Sequence, residues 1–160
     1  AALNPCPCGH YGSSRNNCTC SPQQIARYTK KISGPILDRI DIHITVPAVE
    51  YDALHAASGE SSAETQQRVA AARTRQTKRF AGRAMHTNSE MGLPEIKQFI
   101  SLSDTQKSYL RMAHERFHLS ARAYHRLLKL SLTIADLDDS DEITKDHLLE
   151  ALQYRAGQEI

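Results

Sequence analysis

A serine or threonine followed three residues later by Gln or Glu marks a helix start, because the hydroxyl caps one exposed N–H while the longer side chain returns to cap another. The chain carries this signal at Ser21-Pro22-x-Gln24, Ser61-x-x-Glu64 and Ser103-x-x-Gln106. Each precedes residues with helical apolar spacing, so the signals predict a mainly α-helical fold. The first predicts a helix from Pro22 to about Lys31, with Ile25, Tyr28 and Ile32 as its apolar stripe and Lys30 and Lys31 complementing the helix dipole. Leu93-Pro94 predicts a short helix to Ile100, with proline at its start. Ser120 opens the broadest apolar helix, Ala121 to about Leu137, where Tyr124, Leu127, Leu128, Leu130, Ile134 and Leu137 present a surface fit for the centre of a bundle. Thr144 caps the last helix, and Ile143 and Leu148 occupy the two staple positions.

One segment breaks the helical rule. Ile40, Ile42, Ile44 and Val46 alternate with Asp41, His43 and Thr45, which is the period of a half-buried strand. Pro35 to Asp38 reads as a helical turn feeding it, and Arg39 stands at the junction. That guanidinium is either a surface residue paired with Asp38 or Asp41, or a fixed charge for an anionic ligand. Ala1 to Leu3 read as the end of another apolar strand closed by the Asn4-Pro5 turn, so the chain is expected to open partway through a folded unit.

The 160 residues suffice for one core or two small ones. Apolar content of 40% with 24% charged residues excludes a disordered or fibrous class. No apolar run is long enough to span a membrane and no signal-peptide pattern opens the chain, which makes the expected location cytoplasmic and the expected partners exclude membranes. A net charge of +2 does not itself imply a polyanionic partner.

All four cysteines fall in the first 20 residues, as Cys6-x-Cys8 and Cys18-x-Cys20. Two thiolate pairs on glycine-bearing turns can converge on a tetrahedral ion, and zinc suits that set best; free thiols or adventitious disulfides are the alternatives. His10 can replace one cysteine or stand exposed in the loop. Residues 48–61 read as a linker. From Arg68 to Arg83 there are six cations (Arg68, Arg73, Arg75, Lys78, Arg79, Arg83) and no acid, which reads as a solvated connector or as a phosphate-contacting surface. Arg122, Arg126 and Lys129 share one helix face, ordinarily a solvated one. The acids Asp136, Asp138, Asp139, Asp141 and Glu142 mark a turn, without calcium-loop spacing.

The stretches NPCPCG, CTCS, ISGPILDRIDIHI and SARAYHRLLKLSLTIADL resemble the magnesium-chelatase-like AAA+ ATPases of the competence type, across almost the whole chain. The resemblance implies three segments: 1–47 as the C-terminal part of an α/β AAA+ core carrying the four-cysteine loop, 48–86 as linker and basic helix, and 87–160 as a helical lid. It implies that Asn4 corresponds to the sensor-1 polar residue and Arg39 to the arginine finger, both catalytic, and that Arg122 corresponds to the nucleotide-contacting sensor 2 of the lid. ATP with Mg²⁺ is the implied ligand, a ring homo-oligomer (a hexamer) the implied assembly, and ATP-driven remodelling of DNA the implied work. The alternatives are Mg²⁺ insertion into a porphyrin, or a non-enzymatic zinc module binding nucleic acid. The chain departs from the pattern in having no Gly-Lys-Ser/Thr phosphate loop and no strand ending in an acidic pair, so it is expected to be inactive alone, a piece of an ATP hydrolase. Residues 1–46 are accordingly expected to be rearranged or poorly ordered without the parallel strands that would cover Ile40, Ile42 and Ile44.

Overall fold

The computed structural model describes residues 1–37, 39–49, 51 and 59–156. The chain divides into two compact units with the boundary between 57 and 58. The first contains helix α1 (Pro22–Thr29) and the single turn α2 (Gly34–Leu37). The second contains α3 (Ser62–Arg79), a 3₁₀ turn (Asn88–Glu90), α4 (Leu93–Phe99), α5 (Asp104–Phe117), α6 (Ala121–Leu137) and α7 (Lys145–Ala156).

The helix starts follow the caps. Ser21, Ser61 and Ser103 each accept from the backbone N–H three residues on, and Gln24, Glu64 and Gln106 return to the cap N–H at 2.8, 2.7 and 2.7 Å. Ser120 Oγ accepts from Ala123 N–H. At α7, Thr144 Oγ1 accepts from His147 N–H while His147 Nδ1 accepts from Thr144 N–H, so a histidine takes the part usually played by Glu. Ile143 and Leu148, the staple pair, are both buried. Gly92 N–H donates to Glu95, and a Cβ at Gly92 would sit 3.0 Å from that carboxylate.

Helix α6 is the axis of the second unit, packing against α3, α4, α7 and the 3₁₀ turn. Leu127, Leu128, Leu132 and Ala135 on α6 join Leu110 of α5 and Leu148 and Ala151 of α7 in one core. Truncating one such leucine to alanine costs about 2–5 kcal/mol in comparable cores. Phe80, past the end of α3, stacks edge-on against Phe99 of α4 at 5.4 Å. The basic helix, expected as a solvated connector or a phosphate-contacting surface, is part of this packing.

The first unit is organised differently. Among its described residues only Cys6 is buried, and these residues form no apolar core. The alternation at 40–46 does not form a strand among the described residues, and Ile42, Ile44 and Val46 are exposed. A strand exists only by pairing, and no described segment offers these residues a ladder. The turn expected from Pro35 is present as α2; Asp38 lies outside the described residues. No described helix is long and apolar enough to cross a membrane.

Candidate functional site

The loop that carries the cysteines is built from two tight turns, closed by Gly9 N–H to Cys6 C=O and by Ser13 N–H to His10 C=O, both 3.0 Å. Gly9 and Gly12 adopt φ of 81° and 75°, a region open to glycine at little cost, which is why the loop can fold back on itself. The result brings all four sulfur atoms within 4.8 Å of one another. Cys6 Sγ lies 3.4 Å from Cys8 Sγ and 3.7 Å from Cys18 Sγ, and Cys8 and Cys18 are 3.6 Å apart. None is joined in a disulfide. With Zn–S bonds of about 2.3 Å, a regular tetrahedron has sulfur–sulfur edges of about 3.8 Å. The donor set and its spacing therefore fit a tetrathiolate ion, and His10 is not in the cluster.

The surroundings favour thiolates unequally. Backbone N–H groups of His10 and Thr19 lower the Cys8 thiol to about 5. Cys6 is opposed by burial, yet is lowered by N–H groups of Tyr11 and His10; Tyr11 N–H lies 3.3 Å from its sulfur. Burial and the negative charge of Cys6 push Cys20 up to about 12, and Cys18 is raised in the same company despite an N–H from Cys20. Four thiolates cannot coexist so closely without a cation at the centre. A divalent ion held by the four sulfurs would supply it, and its binding would release the protons that Cys18 and Cys20 otherwise retain.

The remaining predicted residues are not part of the sulfur cluster. Asn4 is exposed, two residues before Cys6. Arg39 is exposed in the turn after α2, its N–H donating to Ile36 C=O at 3.0 Å. Arg122 is exposed on the first turn of α6, in the other unit. Of its face-mates, Lys129 donates to Ser89 C=O at 3.0 Å and so ties α6 to the 3₁₀ turn instead of facing solvent alone. An apolar groove of about 580 Å³ lies between α5 and α7, lined by Tyr109, Met112, Phe117, Lys145, Leu149 and Leu152 among others; none of the predicted site residues lines it.

A polar cluster in the second unit escaped the sequence reading. Arg79 grips Asp136 with both terminal nitrogens, at 2.8 and 2.5 Å, and donates to Asn88 Oδ1 at 2.8 Å. Asn88 Nδ2 donates to the same carboxylate at 2.8 Å and to Thr133 Oγ1 at 3.1 Å. Arg75 extends the cluster outward, reaching Asp139 at 2.7 Å, Ser140 C=O at 2.8 Å and Asp141 at 2.5 Å, the last raising its pKa further. Its Nε, buried and without a hydrogen bond, faces Asp136 at 3.7 Å. Asp136 was expected in a turn with its acidic neighbours; it lies inside α6 and is only 2% exposed. The signal was there: Asp136 continues the Leu128, Leu132 row of the apolar face at four-residue steps, and Arg75 and Arg79 are four apart on α3. The basic helix is thus largely a structural clasp, since Arg68 also pairs with Glu60 at 2.9 Å and Arg83 with Gln98 at 2.8 Å.

Comparison with known proteins follows the same two-part division. Residues 59–155 match the family model described as magnesium chelatase, subunit ChlI C-terminal, and residues 1–54 match that of magnesium chelatase, subunit ChlI. The chain is 45% identical to the uncharacterized protein YifB of Escherichia coli and 43% identical to the competence protein ComM of Haemophilus influenzae. It is 34% identical to the uncharacterized protein Rv2897c of Mycobacterium tuberculosis. The alignments cover 96–98% of this chain and 30% of each of those relatives, so the chain spans under a third of their length.

Proposed function

The chain belongs to the magnesium chelatase subunit ChlI family, and from that premise we propose that it supplies the arginine finger and the lid of a ring-forming ATPase that remodels DNA. The observation that carries this reading is the order of the two matches, core-type then C-terminal type, on two separately built units. Arg39 and Arg122, one in each unit, are both exposed. An exposed position is what contact with a nucleotide held by other parts of a longer protein would require. The substrate is ATP, and Mg²⁺ would neutralise charge on its phosphates when bound.

The role of each residue follows from charge. Arg39, offered across a subunit boundary, would stabilise the negative charge spreading over the γ-phosphoryl oxygens in the transition state, a contribution worth roughly 10³ to 10⁵ in kcat for arginines so placed. Asn4 is neutral and exposed, suited to holding a water in line for attack rather than to taking its proton. Arg122 would meet the terminal phosphate from the lid of its own subunit, so that the presence of that phosphate biases the lid position. The phosphate loop missing from these 160 residues would come from the rest of the polypeptide.

The four-sulfur geometry favours a second element of this reading, a structural zinc ion held by Cys6, Cys8, Cys18 and Cys20. DNA, rather than a porphyrin, is the substrate that the likeness to a competence protein supports. In the full-length protein, Arg39→Ala should leave ATP binding intact and cut steady-state hydrolysis at least about a thousandfold. Turnover within threefold of the parent would remove Arg39 from the mechanism.

A further inference from the structure

The cations on helix α3 end largely on acceptors inside their own unit, so the sequence feature that first pointed to nucleic acid is mostly spent on structure. A different set is not. Residues 1–37 contain no Asp or Glu, and on α1 and the turn that closes it stand Arg27, Lys30 and Lys31. Arg27 lies in the last turn of α1, Lys30 is its C-cap and Lys31 follows, so the three cations cluster at the C-terminal end of the helix. All three are exposed, and among the described residues no carboxylate pairs with any of them. Dipole complementation, the role first read for Lys30 and Lys31, needs only one charge near a helix end and does not account for the row.

Other exposed residues of the same unit indicate what such a row meets. Gln23, one turn before Arg27, is exposed, and the loop tied by the cysteines exposes Ser13, Ser14, Asn16 and Asn17. These are uncharged donors of the kind that bind sugar and phosphate oxygens. Tyr11 in the same loop is 56% exposed and offers an aromatic face on which an unpaired base can stack. No residue of α1 is an exposed large apolar side chain, whereas a protein partner would need an apolar anchor there.

We infer that the Arg27, Lys30 and Lys31 cluster at the C-terminal end of α1 is where this protein contacts the phosphodiester backbone of a nucleic acid. The inference rests on the DNA reading proposed above and relocates its contact from α3 to α1. Three cations on phosphates set the scale: their loss should make the dependence of log affinity on log salt shallower by about two for a single strand.

The test is fluorescence anisotropy of labelled single-stranded and duplex oligonucleotides, DNA and RNA in parallel, titrated with this chain from about 50 to 200 mM salt. The variants are Arg27→Gln/Lys30→Gln/Lys31→Gln and, on α3, Arg73→Gln/Lys78→Gln, two exposed cations outside the clasp. The α1 variant should bind at least about tenfold more weakly with the shallower salt slope, and the α3 variant should stay within about threefold. Far-UV circular dichroism and zinc content, unchanged in the α1 variant, show that charge and not folding is responsible. Because altered folding would confound the glutamines, Lys30→Arg/Lys31→Arg is run beside them and should retain binding. If the parent chain binds and the α1 variant binds equally well, the assignment to α1 is wrong and the DNA reading stands. If the parent binds no oligonucleotide even at the lowest salt, both fall. Equal competition by polyglutamate would overturn the assignment to phosphodiesters.

Discussion

On α3 and the turn after it, four of six cations reach acceptors in their own unit, while on α1 Arg27, Lys30 and Lys31 meet no carboxylate among the described residues. Both rows look alike in sequence, as runs of basic residues without acids. They differ because α3 packs against α6, whose Asp136 and following loop supply three carboxylates, whereas α1 belongs to a unit with a single buried residue among those described. A run of cations becomes a clasp only where the fold brings acids to it. Otherwise its charge remains available to a partner.

The same contrast extends to what holds each unit. The second has a contiguous apolar core; the first has a sulfur cluster in place of one. Metal removal is therefore the largest predicted perturbation and should separate the two. Structural zinc in small domains contributes apparent binding energies of about 10–16 kcal/mol. A strong chelator should release one zinc per chain and collapse the amide dispersion of residues 5–20, leaving the melting transition of the second unit in place. Joint melting of both units would abolish the contrast.

Next in size is the clasp. Asp136→Ala leaves two guanidinium groups facing a vacated buried position, which costs about 3–5 kcal/mol when one partner of a buried pair is removed. Urea unfolding of the second unit reads this, and a loss below about 1 kcal/mol would make the α3 charges dispensable. Smallest is the cap of α3. Ser61→Ala should cost about 1 kcal/mol. Glu64 shares that cap, its carboxyl held below the ordinary value by the N–H and hydroxyl of Ser61. A depressed acid stabilises above its unfolded pKa and stops doing so as pH falls through the folded value. The Ser61→Ala penalty, measured by urea unfolding, should therefore shrink on acidification below about pH 4.

Much of the helical frame was legible because its signals are local. A capping box and a four-residue apolar row act within one or two turns, so Ser61, Ser103 and Ser120 predicted the starts of α3, α5 and α6 correctly. The cysteine loop was legible for a related reason, since two close pairs on glycine turns have few ways to diverge. The alternation of Ile40 to Val46 was equally plain, yet a period of two specifies a face and not a partner strand. The roles proposed for Asn4, Arg39 and Arg122 rest on resemblance alone, because a contact with a ligand bound elsewhere would leave no pattern in its own segment.

The sequence by itself determined where helices begin, that the four thiols fall in two close pairs and that residues 1–37 carry no acid. Tertiary structure alone decided which cations are consumed. Arg79 and Asp136 lie 57 positions apart, and nothing in either neighbourhood specifies the other. Their pairing follows from α3 lying along α6, where a buried carboxylate must find its countercharge, and that requirement exists only once the helices have packed.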